Sequence, residues 1–164
     1  MVLRREPDRP YLLGHKRSLQ VASLLPVGQT ASNRKDVEIL FDALPEPLDL
    51  DLDLHAHQIY WADRGDARRG NRVNRAPLEP AGGVDPKQRK DIQILTGGLD
   101  EAIGIALDVA GDRMYFTDLE GSVYSARIDG TDRKTILTKQ GSLTGIAFSR
   151  MSASAPRRVP TSRQ

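Results

Sequence analysis

Three aspartates alternate with leucines in residues 48–54, and their type and spacing could hold a metal ion. Asp49, Asp51 and Asp53 lie two residues apart, so on an extended strand their carboxylates share one face at intervals of about 7 Å. Hard cations such as Ca²⁺ take several oxygen ligands, and such a face could serve a metal-dependent hydrolase. A solvated strand face or channel lining is the alternative, and both interpretations stay open at this point.

Other candidate groups give weaker indications. His55 and His57 form a His-x-His pair, but no third ligand of matching type lies nearby, so we expect no zinc site. Arg64-Gly65-Asp66 is an integrin-type tripeptide, but it could meet an integrin only outside the cell. Phosphate or RNA binding needs concentrated positive charge, but nearby acids favour a solvated loop. That charge comes from Arg64, Arg68, Arg69, Arg72 and Arg75.

No catalytic motif accompanies these groups. The sequence contains neither a Gly-x-Ser-x-Gly elbow nor a Gly-x-x-x-x-Gly-Lys phosphate loop. It therefore nominates no nucleophile, and we expect a protein that is not an enzyme.

The elements that carry these residues repeat along the chain. Residues 44–63 align without a gap on residues 99–118, so that Tyr60-Trp61-Ala62-Asp63 matches Tyr115-Phe116-Thr117-Asp118 at an offset of 55. A period of this size is typical of β-propeller blades. A third copy opens at Gly145-Ile146-Ala147-Phe148, which matches Gly104-Ile105-Ala106-Leu107.

Each repeat is predicted to contain four short antiparallel strands. The apolar residues of 48–54 and 103–109 alternate with period two, which indicates a half-buried strand. An aromatic strand, a third strand and a strand after an Arg-Lys pair complete each unit. The sequence therefore predicts an all-β fold, an incomplete β-propeller with about two full four-stranded blades and partial blades at each end. This propeller segment is predicted to span residues 21–149.

Charge separates the predicted core from its flanks. Residues 1–20 carry five basic and two acidic side chains, and residues 150–164 carry four basic and no acidic ones. Both are aperiodic, so we expect two disordered basic tails. Residues 21–149 are net acidic, with fifteen basic and twenty acidic side chains, and we expect no nucleic-acid partner. The sequence has no cysteine, signal peptide or membrane span, so a cytoplasmic protein that binds no membrane is expected.

The motif order resembles the YWTD repeat, the class B repeat of low-density-lipoprotein receptors. Its elements are Gly104-Ile105-Ala106-Leu107-Asp108, the two aromatic tetrapeptides and residues 123–131, which end in Ile128-Asp129-Gly130-Thr131. The resemblance implies a six-bladed propeller of the TolB-like superfamily. It marks these structural repeat residues: Tyr60, Trp61, Asp63, Gly104, Asp108, Tyr115, Phe116, Asp118, Asp129 and Gly130.

Repetition favours an architectural role for these residues. We expect the four aromatic residues to pack between blades rather than to form a binding platform, and Asp63 and Asp118 to accept backbone N–H groups in turns. Function is then expected in the loops 62–71 and 118–122, as a non-catalytic scaffold for an unidentified protein partner. The alternatives are a fragment of a metal-dependent lactonase-like hydrolase and a truncated gene product without independent function. Open blade ends also predict self-association.

Overall fold

Three four-stranded antiparallel sheets follow one another along the chain. The computed structural model describes residues 4–6, 9–13, 17–22, 28–30, 32–65, 68, 70–80 and 82–151. The first sheet contains β1 (Arg4–Glu6), β2 (Arg9–Leu13), β3 (Leu19–Val21) and β4 (Glu38–Phe41). The second contains β5 (Pro47–Asp53), β6 (Gln58–Asp63), β7 (Arg72–Pro77) and β8 (Gln93–Thr96). The third contains β9 (Ala102–Asp108), β10 (Arg113–Asp118), β11 (Val123–Ala126) and β12 (Lys134–Leu137).

The strands of each sheet are hydrogen-bonded in chain order, as in a propeller blade. Two 3₁₀ turns, Pro86–Gln88 and Val109–Gly111, are the helical elements of the described residues. The predicted all-β partial propeller is confirmed, and we call the sheets the first, second and third blades.

The first blade is more complete than the sequence predicts. Strands β1 and β2 and the start of β3 lie within residues 1–20, for which a disordered tail is expected. With them, the blade that was expected to be partial has four strands. Gln20 pairs with Leu12 and directly follows the register shift toward β4, just as Asn74 pairs with Trp61 and directly follows the register shift toward β8. Tyr11-Leu12-Leu13 therefore occupies the register of Tyr60-Trp61-Ala62, and leucine in place of tryptophan hides the repeat. Residues 152–164 lie outside the described residues, so the C-terminal tail stays a prediction.

Two apolar clusters fill the two junctions between blades. Strand β6 contributes to both because successive side chains point to opposite faces of a sheet. Ile59 and Trp61 join residues of the first blade, such as Phe41, in one cluster. Tyr60 and Ala62 join residues of the third blade, such as Phe116, in the other. We call the side of a blade that meets the preceding blade its rear face and the opposite side its forward face.

The predicted third copy begins without forming a strand. Residues 138–151 carry no assigned strand, yet the backbone of Gly145 and Ile146 lies directly against β9. A Cβ on Gly104 would come within 2.9 Å of the Gly145 Cα atom. The Phe148 ring stacks on Tyr115 with centroids 5.5 Å apart, and Arg150 pairs with Asp108 at 2.7 Å. This segment therefore covers the inner part of the forward face of the third blade.

Candidate functional site

The predicted acidic strand is β5, and two of its carboxylates fasten it to the next blade. Asp49 Oδ2 accepts the backbone N–H of Ile105 at 3.0 Å, and Asp51 Oδ2 accepts that of Leu107 at 2.9 Å. Their Oδ1 atoms accept the N–H groups of the residues that follow them, at 3.0 and 2.6 Å. Both carboxylates thus supply acceptors to backbone donors, those of β9 being 56 residues away.

Asp53 has a different role, in the turn after β5. Its Oδ1 atom accepts the N–H groups of His55 at 3.0 Å and Ala56 at 2.9 Å. Asp108 accepts the N–H of Gly111 in the same way at 3.0 Å. His55 and His57 are exposed on that turn. Within the described part of the chain no three histidine or acidic side chains are grouped to hold a metal ion, so this geometry does not favour the metal-dependent hydrolase.

Three of the four repeated aromatic residues, Tyr60, Trp61 and Phe116, lie at the blade junctions. Trp61 is fully buried, and its ring centroid lies 5.2 Å from that of Phe41 in the first blade. Phe116, at the equivalent position, stacks on Tyr124 at 5.2 Å. Tyr60 is buried on the forward face, whereas its equivalent Tyr115 is only partly buried. These contacts agree with the packing interpretation.

The acid that ends each aromatic strand binds nearby donors. Asp63 accepts the backbone N–H of Glu46 at 2.6 Å and the indole N–H of Trp61 at 3.3 Å. Its burial raises the pKa of the Asp63 carboxyl to about 6. Asp118 accepts the N–H of Ser122 at 2.8 Å and the hydroxyl of Tyr124 at 2.7 Å. Asp118 thereby closes the loop 118–122.

The Asp129-Gly130 pair forms a turn that rests on the second blade. Asp129 Oδ1 accepts the backbone N–H of Thr131 at 2.9 Å and its hydroxyl at 2.6 Å. Gly130 has a φ of +90°, and a Cβ there would lie 2.4 Å from the Leu95 carbonyl oxygen. Glycine is needed at this position for both reasons.

Charged side chains lie on the loops 62–71 and 118–122 and on residues 100 and 101, to which both loops bind. Arg64 binds Glu46 at 2.8 Å within the second blade and Glu101 at 3.2 Å at the start of the third. The guanidinium holds the pKa of the Glu46 carboxyl below its usual range. The Leu119 N–H binds the carbonyls of residues 100 and 101, which brings the second loop alongside. We call this the loop surface: Glu46, Arg64, Arg68, Asp100, Glu101 and Glu120.

Part of the first loop lies outside the described residues, namely positions 66, 67 and 69. The integrin-type tripeptide, which includes position 66, is therefore not described.

Known proteins resemble this chain in both sequence and fold. No protein-family model matches the chain. The low-density lipoprotein receptor-related protein 1 of Pyricularia oryzae is 40% identical over 124 residues. In the crystal structure of a nidogen/laminin complex, one chain superposes with a TM-score of 0.65 at 21% identity, over 87% of the present chain. The chain is a YWTD-type β-propeller segment.

The YWTD-type segment spans less than half of each of these relatives. The match covers 75% of the segment but 40% of the Pyricularia protein, and 49% of the nidogen/laminin chain. The 3-hydroxyacyl-CoA dehydrogenase-like protein LAM1 of Cochliobolus heterostrophus is 33% identical over 128 residues, which is 76% of the segment and 27% of that protein. An auxiliary nutrient binding protein from Bacteroides thetaiotaomicron superposes with a TM-score of 0.60 at 16% identity, covering 85% of the segment and 30% of that chain.

Two arginines of the YWTD-type segment, Arg89 and Arg133, hold neighbouring blades together, a role that was not predicted from the sequence. Arg89 lies 3.8 Å from the ring centroid of Phe41 and donates to the Leu40 carbonyl at 3.4 Å, both in the first blade. Arg133 lies 4.5 Å from the Tyr124 ring centroid and donates to the Gly97 carbonyl of the second blade at 2.9 Å. Their recurrence could have indicated this role, since both arginines belong to the Arg-Lys pairs that precede the last strand of a blade.

The described residues of the segment form no helix with the length and apolar character required to span a membrane.

Proposed function

We propose that this YWTD-type segment is a non-catalytic scaffold that binds a protein partner through the loop surface. The observation that carries the proposal is Arg64, which binds acids of two blades. Glu101 binds Arg64 of the first loop with its carboxylate and Leu119 of the second loop with its carbonyl, so both loops are held to the same residue. The side chains of Glu101 and Glu120 stay exposed. A surface held in place before binding loses less conformational entropy on association.

The acidic side chains of the strands support this proposal because their carboxylates already bind groups within the fold. Asp49 and Asp51 bind the next blade, Asp63 binds Trp61, and Asp118 closes its own loop. Of the two curated relatives, one is named a receptor-related protein, which supports a binding role, and the other is named a dehydrogenase-like protein.

The charge of the loop surface indicates the kind of partner. Four of its six residues are acidic and two are arginines, so a partner with a basic patch is favoured. Complementary charge at the edge of an interface acts mainly on the association rate and on specificity.

The proposal is tested by charge reversal with a matched control. The test variant combines Glu101→Lys with Glu120→Lys. The control combines Glu79→Lys with Asp112→Lys, which are exposed and lie outside the loop surface. Glu101 and Asp112 both have positive φ, at 59° and 54°, so the two variants carry equal charge and comparable backbone demands.

The measurement starts from a partner isolated by cross-linking in cells of the source organism and then purified. We expect the loop variant to bind it at least about tenfold more weakly by calorimetry, a difference of about 1.4 kcal/mol. The control should bind like wild type. Equal affinities of both variants would contradict the proposal.

The proposal includes function without a metal and a cytoplasmic location. Addition of Ca²⁺ or Mn²⁺ should leave the thermal midpoint unchanged, because a bound ion would raise it by mass action. Location is tested by imaging a tagged chain in cells and by assaying the culture medium for it. Accumulation in the medium would contradict the cytoplasmic expectation.

A further inference from the structure

The forward face of the third blade repeats residues that the second blade buries. In the second blade Tyr60, Val73 and Leu95 belong to the cluster that the third blade covers. Strand register assigns each of them an equivalent, because the pairs β6–β7 and β10–β11 align and both outer strands shift register at the same point. The equivalents in the third blade are Tyr115, Val123 and Ile136.

These equivalents lack the cover of their counterparts. Val73 is 0% exposed and Tyr60 1%, whereas Val123 and Tyr115 are only partly buried. Ile136 is 49% exposed. Residues 145–148 cover the inner part of this face, and within the described residues its outer part has no cover.

The first blade offers the matching rear face. Gln20 pairs with Leu12 in β2 and with Ile39 in β4, the register that Tyr124 has in the third blade. Tyr124 belongs to the same cluster as Val73 and is buried there, whereas Gln20 is only partly buried. Val123 and Gln20 are thus positions that a further blade junction would place in one shared cluster.

We propose that the forward face of the third blade binds the rear face of the first blade of a second copy of this chain. The same contact made in return closes a ring of two copies. The proposed contact repeats a junction that the fold already makes twice, between the first and second blades and between the second and third. A head-to-tail contact forms a closed ring when the rotation between copies closes.

The second copy competes with residues 145–148 for the inner part of the face. Gly145 lies against Gly104, Phe148 stacks on Tyr115, and Arg150 pairs with Asp108. In the ring, the β1 strand of the second copy takes this place. Weakening the Phe148 contact therefore favours the ring, whereas a charge at Ile136 opposes it.

Sedimentation over a concentration series tests these opposite effects on the purified chain. Wild type should reach twice its 18.1 kDa mass. Ile136→Asp should weaken self-association at least about tenfold, and Phe148→Ala should strengthen it. Ile94→Asp is the control, because Ile94 is 52% exposed on the outer strand of the second blade. A concentration-independent monomer, open-ended polymers, or weakening by both aspartates would overturn the proposal.

Thiol cross-linking tests which faces meet, since the chain has no cysteine of its own. A mixture of Val123→Cys and Gln20→Cys chains should give a cross-linked dimer with a short bis-maleimide. Either variant alone should give none. A dimer from Val123→Cys alone would show that two forward faces meet, and no dimer in the mixture would exclude the proposed junction; both overturn the ring.

Discussion

The carboxylates of Asp49 and Asp51 connect β5 to β9, two strands that belong to different sheets and share no ladder of backbone hydrogen bonds. The N–H groups of Ile105 and Leu107 receive their acceptors from β5. On the forward face of the third blade the equivalent positions hold Gly104 and Ala106. There the following backbone approaches directly, with a Gly104 Cβ position only 2.9 Å from Gly145. The residue type at one repeat position therefore sets how closely two inner segments approach.

Removing either carboxylate should destabilise the fold. Asp49→Ala or Asp51→Ala leaves a backbone donor of β9 without this acceptor, and an unsatisfied buried donor costs about 1–3 kcal/mol. Urea unfolding measures the loss. Asp49→Asn keeps one acceptor oxygen and should lose less stability. A stability of the alanine variants equal to wild type would contradict this role.

Asp63 should make the second blade sensitive to pH. Burial raises its pKa to about 6, so the folded state holds this proton more tightly than the unfolded state. The resulting stabilisation is complete below the ordinary aspartate pKa near 3.9 and is lost as the pH rises through about 6. Between pH 4 and 7, stability should therefore fall more steeply in wild type than in Asp63→Asn.

Trp61 reports this titration directly, as the only tryptophan of the chain and a donor to Asp63. Its fluorescence should change with a midpoint near the pKa of about 6. A midpoint that persists in Asp63→Asn would assign the change to another group.

At the scale of elements, alternation in one strand decides the packing of two junctions. Period-two patterns predict β5 and β9, and the tetrapeptides 60–63 and 115–118 predict β6 and β10. The same patterns correctly place Asp49, Asp51 and Asp53 on one strand. Their chemistry was not predictable, because two of the three carboxylates bind N–H groups of another blade. Local sequence does not show which distant donor a side chain meets.

Truncation of the buried aromatic residues should reduce stability strongly. Trp61→Ala and Phe116→Ala each remove a fully buried ring, and such changes cost about 3–5 kcal/mol. Tyr115→Ala is the matched control, because Tyr115 is only partly buried, and it should cost less. Denaturant midpoints give the comparison. Wild-type stability together with lost partner binding in Trp61→Ala would contradict the packing role.

At the scale of the whole molecule, the N-terminal residues complete a blade. Sequence similarity did not reveal it because Leu12 stands at the register of Trp61, which removes the aromatic signature. The strands are also short, with three residues in β1 and five in β2. Backbone pairing between strands has no fixed sequence signature. The repeat in the first blade is therefore recognised only from the pairing of its strands in the structure.

Deleting residues 1–21 should therefore damage the fold. The deletion removes β1, β2 and β3 and uncovers Phe41 and Trp61, which lie in the first cluster. We expect weaker far-ultraviolet β signal and stronger binding of a hydrophobic dye. Deleting residues 152–164 is the control and should change neither signal. An unchanged spectrum after the N-terminal deletion would show that the first blade contributes little.

The positions of Arg89 and Arg133 in the chain determine when the contacts between blades can form during synthesis. Each arginine precedes the last strand of its own blade and binds the blade before it. During synthesis, the contact that fixes the first blade is made only after residue 89 has left the ribosome, and the next only after residue 133. The first and second blades are thus each secured only after part of the following blade has been synthesised.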